Sequence, residues 1–158
     1  MQELVQARVE RLEAVFRDIA VTRMQGVPLL HSGLQVQAVG FAPEAEGGCA
    51  LGVLVTPWFM NLMRLPLGST EPLGPGQVSS QRIGAHRLSF IGAHEAAFGS
   101  YAMCSLASPM FEFSDQDAAV ATAQEVLAQL RQPTAKDEPD AQRRRFLLGR
   151  GAAPGART

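Results

Sequence analysis

The chain is poor in the residues that most often carry chemistry. Among 158 residues it has two cysteines, Cys49 and Cys104, one tryptophan, Trp58, one tyrosine, Tyr101, and one lysine, Lys136. Two widely separated cysteines make neither a disulfide framework nor the paired CxxC of a zinc or iron site. They suit a reducing compartment. No HxxxH or HExxH spacing occurs, which removes the common helical metal motifs. No apolar run reaches the roughly 18 residues of a membrane span. The N-terminal segment is charged and amphipathic and lacks the oily core of an export signal. The expected location is therefore the cytoplasm, without membrane insertion. The net charge of -1 gives no general attraction to nucleic acid or anionic lipid. The glycine-rich Leu73-Gly74-Pro75-Gly76 lacks the strand–loop–helix setting and the Lys-Ser/Thr ending of a phosphate cradle.

What is present is patterned apolar sequence. A chain of this length forms one domain with a full core. Residues 3–23 read as a helix, because Val5, Val9, Leu12, Phe16 and Ile19 fall on one face. Leu34, Val36 and Ala38 alternate with Gln35 and Gln37, the pattern of a half-buried strand. Residues 50–56 are nearly all apolar and suit a central strand. Thr56-Pro57 then resembles a helix start, with Thr as N-cap and Pro at the first helical position. The sequence predicts a short helix there, ended by Pro66 and Gly68. Residues 66–77 read as a Pro/Gly loop. Residues 86–91 and 97–106 read as a hairpin turning through Gly92-Ala93-His94-Glu95. Ser114 caps a last helix whose stripe is Ala119, Ala123, Val126, Leu127 and Leu130, and Pro133 ends it. The expected fold is α+β: an antiparallel sheet packed by the N-terminal and C-terminal helices, with one short helix after the central strand. Residues 1–133 form the domain, and 134–158 an Arg-rich, mobile tail.

Candidate sites are few. Cys104 with His86 or His94 is a possible nucleophile pair or part of a metal site. Cys104 alternates with Ala102 and Leu106, however, which favours a small core residue, and both histidines are expected to face water. Cys49, at the entrance to the central strand, reads as a packing residue. Trp58, Phe59, Met60, Leu62 and Met63 either fill the core or line a groove. Five large side chains on a two-turn helix cannot all be buried, so Met60 or Trp58 is expected at the surface, where Trp and Met favour peptide binding. A second cluster is Met110, Phe111, Glu112, Asp115 and Asp117. Its acids either cap the last helix or form a carboxylate patch for an arginine-bearing partner.

Three stretches resemble the HybE/HupJ family of [NiFe]-hydrogenase assembly chaperones. They are Val39-Gly40-Phe41, Leu51-Gly52-Val53-Leu54-Val55-Thr56-Pro57-Trp58-Phe59-Met60-Asn61-Leu62, and Cys104-Ser105-Leu106 with Ser108-Pro109-Met110-Phe111-Glu112-Phe113. An Arg-Arg-x-Phe-Leu element at 143–147 adds to them. The resemblance implies an accessory protein with no enzymatic activity and no cofactor. It implies binding of the hydrogenase small-subunit precursor through its twin-arginine signal peptide, and help in pairing with the large subunit before export. The alternative is a scaffold for the large subunit that never touches a signal peptide. Some relatives carry a fused rubredoxin; this chain has no paired CxxC for that iron. On this reading Trp58, Phe59, Met60, Leu62, Met63, Met110 and Phe111 take the apolar part of the peptide, and Glu112, Asp115 and Asp117 take its arginines. Arg143-Arg144-Arg145-Phe146-Leu147-Leu148 itself reads like a twin-arginine consensus. It is either a clip that packs Phe146 and Leu147 on the domain or an occupant of the same groove.

Overall fold

The computed structural model describes residues 2–44, 48–68 and 71–132. The elements run α1 (Gln2–Val21), β1 (Gln37–Pro43), β2 (Cys49–Val55), β3 (Met60–Pro66), β4 (Val78–Ile83), β5 (His86–Glu95), β6 (Gly99–Ala107) and α2 (Gln116–Leu130). The strands form one six-stranded sheet in the order β1-β2-β3-β6-β5-β4, and every neighbouring pair is antiparallel. This is the expected α+β architecture.

The two helices cover opposite faces. Leu12, Phe16 and Ile19 of α1 pack with Ala50, Leu54, Met63 and Leu65. Ala119, Ala123, Val126, Leu127 and Leu130 of α2 pack with Leu51, Val53, Val55, Met60 and Leu62. Each helix buries the stripe its 3.6-residue period lays out. Each fully buried aliphatic or Phe side chain contributes roughly 1.5–3 kcal/mol relative to exposure. Because both faces are covered, all seven residues of β2 are buried, and the polar–apolar alternation of a half-exposed strand disappears.

The short helix expected after the central strand does not form. Residues Met60–Pro66 are β3, paired along their length with β2 and on the other side with β6. The Thr56 signal is used nonetheless. Its hydroxyl oxygen accepts from the backbone N–H of Trp58 (3.1 Å) and Phe59 (2.9 Å) and donates to the Phe59 carbonyl (3.1 Å). The Thr56 N–H also donates to the Phe59 carbonyl, at 2.8 Å. A helix cap and a hairpin turn make the same local demand on a threonine, and long-range pairing decides which is built.

Other boundaries also shift. Ladder pairing begins at Gln37 rather than Leu34. Residue 35 is held by a side chain instead: Gln35 N–H donates to Gln116 Oε1 (2.9 Å) and Gln116 Nε2 donates to the Gln35 carbonyl (3.2 Å). The strand β4, with alternating exposed and half-buried residues, was not anticipated. The β5–β6 turn falls after Glu95, where Phe98 N–H bonds the Glu95 carbonyl (2.9 Å). The N-cap of α2 is Asp115, not Ser114: its carboxylate accepts from Ala118 N–H at 2.9 Å. The tail reading lies outside the described residues.

Two of the motif glycines have packing reasons. Gly40 sits in the register shift of β1 with φ +66°, a conformation that favours glycine. A Cβ on Gly52 would collide with the Phe41 ring, so β2 can accept that ring only where it has no side chain. Gly52→Ala is expected to cost about 1–3 kcal/mol as the ring is displaced, read as a lowered urea midpoint at unchanged slope. Tyr101 stacks edge-on with Phe16 and Phe98. Burial, and to a lesser degree Glu95, pushes its phenol up to about 12 from 10.0, with Arg23 opposing. The folded state therefore holds this proton more tightly than the unfolded chain. The associated stability is intact below pH 10 and is lost as pH rises from about 10 to 12. Tyr101→Phe should flatten that loss in a pH series of denaturation curves.

Candidate functional site

Three segments meet at the end of the sheet where β1 begins, β2 turns into β3 and β6 ends. They are the loop before β1, the Thr56–Phe59 turn, and the connection from β6 to α2. His31 ties them together. Its N–H donates to the Pro57 carbonyl at 2.9 Å. Its Nδ1 accepts from Gly33 N–H (3.0 Å), so the neutral ring carries its proton on Nε2, which lies 2.7 Å from the Phe113 carbonyl. The ring stacks on Phe111 with centroids 6.1 Å apart. Ser108 Oγ reaches the Trp58 carbonyl at 3.5 Å. The cis peptide bond Ser108-Pro109 lies in the same connection. The two motif stretches, distant in sequence, thus meet at one end of the sheet, with the Trp58 and Phe59 rings packed on the α1 side.

Part of that end is apolar and open: Phe111 is 55% exposed. Trp58 and Phe59 are half-buried. Trp58 stacks on Phe16 of α1 (centroids 6.4 Å) and meets Phe59 edge-on (5.5 Å). Glu112, Asp115 and Asp117 are exposed around the start of α2. Asp115 spends one oxygen on its cap.

The structure divides the sequence-predicted set. Met60, Leu62, Met63 and Met110 are 0–1% exposed. Met60, Leu62 and Met110 belong to the core under α2, and Met63 to the core under α1. They do not line a surface; of the two residues expected to emerge, Met60 is buried and Trp58 is half-buried. On a strand, successive side chains go to opposite faces, so a run that crowds a helix is accommodated by a sheet covered on both sides. Trp58, Phe59, Phe111, Glu112, Asp115 and Asp117 remain at the surface. His31 joins them through contacts with residues 57, 111 and 113, which lie far from it in sequence.

The thiol and imidazole candidates do not converge. Cys104 lies in β6, whose residue Ser100 pairs with His94 of β5, four strand positions and roughly 13 Å away. His86 pairs with Ile83 at the far end of β5 and is buried, not water-facing. Burial pushes both thiols up; at Cys49 Arg64 opposes and Glu44 adds to the shift. Cys49, Arg64, Glu71, Gln81 and Tyr101 line a cavity of about 130 Å³ at the opposite end of the sheet. That volume is well below the roughly 300–1,000 Å³ of ordinary small-molecule sites. Its Arg64 is engaged by Glu44 through two contacts of 2.8 Å.

The rigid part of the surface depends on the Thr56 turn. Thr56 is fully buried. Thr56→Val keeps the shape but strands two N–H groups, and should lower stability by about 1–3 kcal/mol. A blue-to-red change in Trp58 emission before global unfolding would report the loosened turn.

Comparison with known proteins shows the family and the fold. Residues 7–149 match the family described as [NiFe]-hydrogenase assembly, chaperone, HybE. The chain is 45% identical to the protein HoxT of Cupriavidus necator, over 90% of this chain and 89% of that one. It is 40% identical to the hydrogenase expression/formation protein HupJ of Bradyrhizobium diazoefficiens, over 85% and 76%. The solution structure of HybE from Escherichia coli has the same fold, with a TM-score of 0.63 at 24% identity over 92% of this chain and 91% of that one. The chain therefore belongs to the HybE family of [NiFe]-hydrogenase assembly chaperones.

Proposed function

We propose that this chaperone holds the small-subunit precursor of a [NiFe] hydrogenase by its twin-arginine signal peptide in the cytoplasm. It helps the precursor pair with the large subunit before export and catalyses no reaction itself. One observation supports the reading: the connection from β6 into the first turn of α2 presents an exposed Phe111 ring, stacked on His31, and the exposed acids Glu112, Asp115 and Asp117, and Ser108 of the same connection reaches the Trp58 carbonyl. A twin-arginine signal offers paired guanidinium groups and then an apolar run. Carboxylates bind guanidinium groups through charge-assisted, often bidentate contacts. Exposed aromatic rings bury the apolar run at little entropic cost. Met60, Leu62 and Met110 support this surface from the core rather than line it.

The surface is an open patch on rigid turns, and a disordered signal must order to use it. Moderate affinity follows, which suits a ligand that must later be surrendered. Calorimetric titration with a hydrogenase small-subunit signal peptide checks the reading. Phe111→Ala and Glu112→Lys, both at exposed positions, should each weaken binding about tenfold or more, the range of interface anchor residues. Unchanged binding by both variants would move the site elsewhere. Capture of isolated large subunit, with no binding of the signal peptide, would favour the scaffold reading instead.

A further inference from the structure

We infer that the C-terminal segment Arg143-Arg144-Arg145-Phe146-Leu147 of this same chain competes for the Phe111/Glu112/Asp117 surface, so that the free chaperone covers its own docking site. The inference rests on the docking reading above. The segment carries the two chemistries that surface would select, adjacent guanidinium groups followed by an aromatic and an aliphatic side chain. The family match extends to residue 149, so this element falls within the shared region.

Charge and reach both permit it. The helix α2, QDAAVATAQEVLAQL, contains Asp117 and Glu125 and no cation. With Glu112 and Asp115 just before it, the stretch from 112 to 130 carries four carboxylates and no basic side chain. The end of α2 is fixed at the opposite end of the sheet, where Arg131 donates to the Leu51 carbonyl at 2.8 Å. A return to the start of α2 must span its 15 residues, about 22 Å at 1.5 Å per residue. Arg143 follows Gln132 by 11 positions, which can extend to about 36–40 Å. The spacer is ample without being long. Lys136, Asp137, Glu138 and Asp140 lie within it. Its net negative charge is repelled by α2, which leaves the arginine triplet as the attractive element.

Competition has a measurable consequence. A ligand for a site that is free only part of the time binds with its affinity reduced by that fraction. The test compares the full-length chain with the full-length variant Arg144→Ala/Arg145→Ala/Phe146→Ala, whose changes lie outside the described fold. Two probes are used: a hydrogenase small-subunit signal peptide, and a synthetic peptide of residues 139–152. Binding is read by calorimetry and by the emission of Trp58, the only tryptophan.

The signal peptide should bind the variant about threefold tighter or more, as when the tail covers the site in about two-thirds of molecules. The 139–152 peptide should bind the variant, shift Trp58 emission and displace the signal peptide. Glu112→Lys/Asp117→Lys should abolish its binding. Equal affinity of the signal peptide for wild type and variant overturns the inference and leaves the docking reading intact. Failure of the signal peptide with both proteins, while the 139–152 peptide still binds at Glu112 and Asp117, sinks the docking reading and keeps the tail contact. Failure of both peptides ends both. A tail effect that grows with protein concentration would assign the contact to a second copy and overturn the intrachain form.

Discussion

The structure depends on covering the centre of the sheet from both sides. β2 and β3 carry large aliphatic and thioether side chains on both faces, and all of β2 and all of β3 except Arg64 and Pro66 are buried. Helix α1 seals one face and α2 the other. Each helix stripe is insufficient alone, since most helical stability comes from packing of its apolar face. The sheet is likewise incomplete without both. The two helices are thereby tied to one sheet through separate cores on its two faces.

This two-sided burial also explains where the candidate site lies. With both faces covered, the remaining free surface of the central strands is at their ends. At one end the strands are closed by turns around Cys49, Pro66 and the Arg64–Glu44 ion pair. At the other, the Thr56 turn, the His31 loop and the Ser108–Asp115 connection leave aromatic rings partly open, and Glu112 and Asp115 of that connection are exposed. That end is held by the hydrogen bonds of its turns, those of Thr56 and His31 above all.

Much of the fold was legible from periodicity. The stripes of α1 and α2 and the apolar block of β2 appear in the structure nearly as the spacing dictates. β3 was not legible because its residues, buried on both faces, lose the period of 2 and mimic the crowding of an amphipathic helix after a Thr-Pro signal. β4 was not legible for the opposite reason: an edge strand reading Val-Ser-Ser-Gln-Arg-Ile has little apolar content, and its pairing with β5 supplies the order. The candidate site was half legible. Phe111, Glu112, Asp115, Asp117 and Trp58 do lie at the surface, but Met60, Leu62, Met63 and Met110 are sealed in the core. His31 was not legible as a site residue, since its partners are contributed by segments distant along the chain.

Local sequence determined which segments could be helix or strand, which faces had to be buried, and where the chain had to turn, because propensity, capping and side-chain period act over a few neighbouring residues. The family motifs were also readable one by one. Tertiary structure alone decided that Thr56 turns a hairpin instead of starting a helix, that the methionines vanish beneath the surface, and that the two distant motifs share one edge of the sheet. Those outcomes are set by strand pairing and by which neighbours exclude water, and such interactions have no expression in a short stretch of sequence.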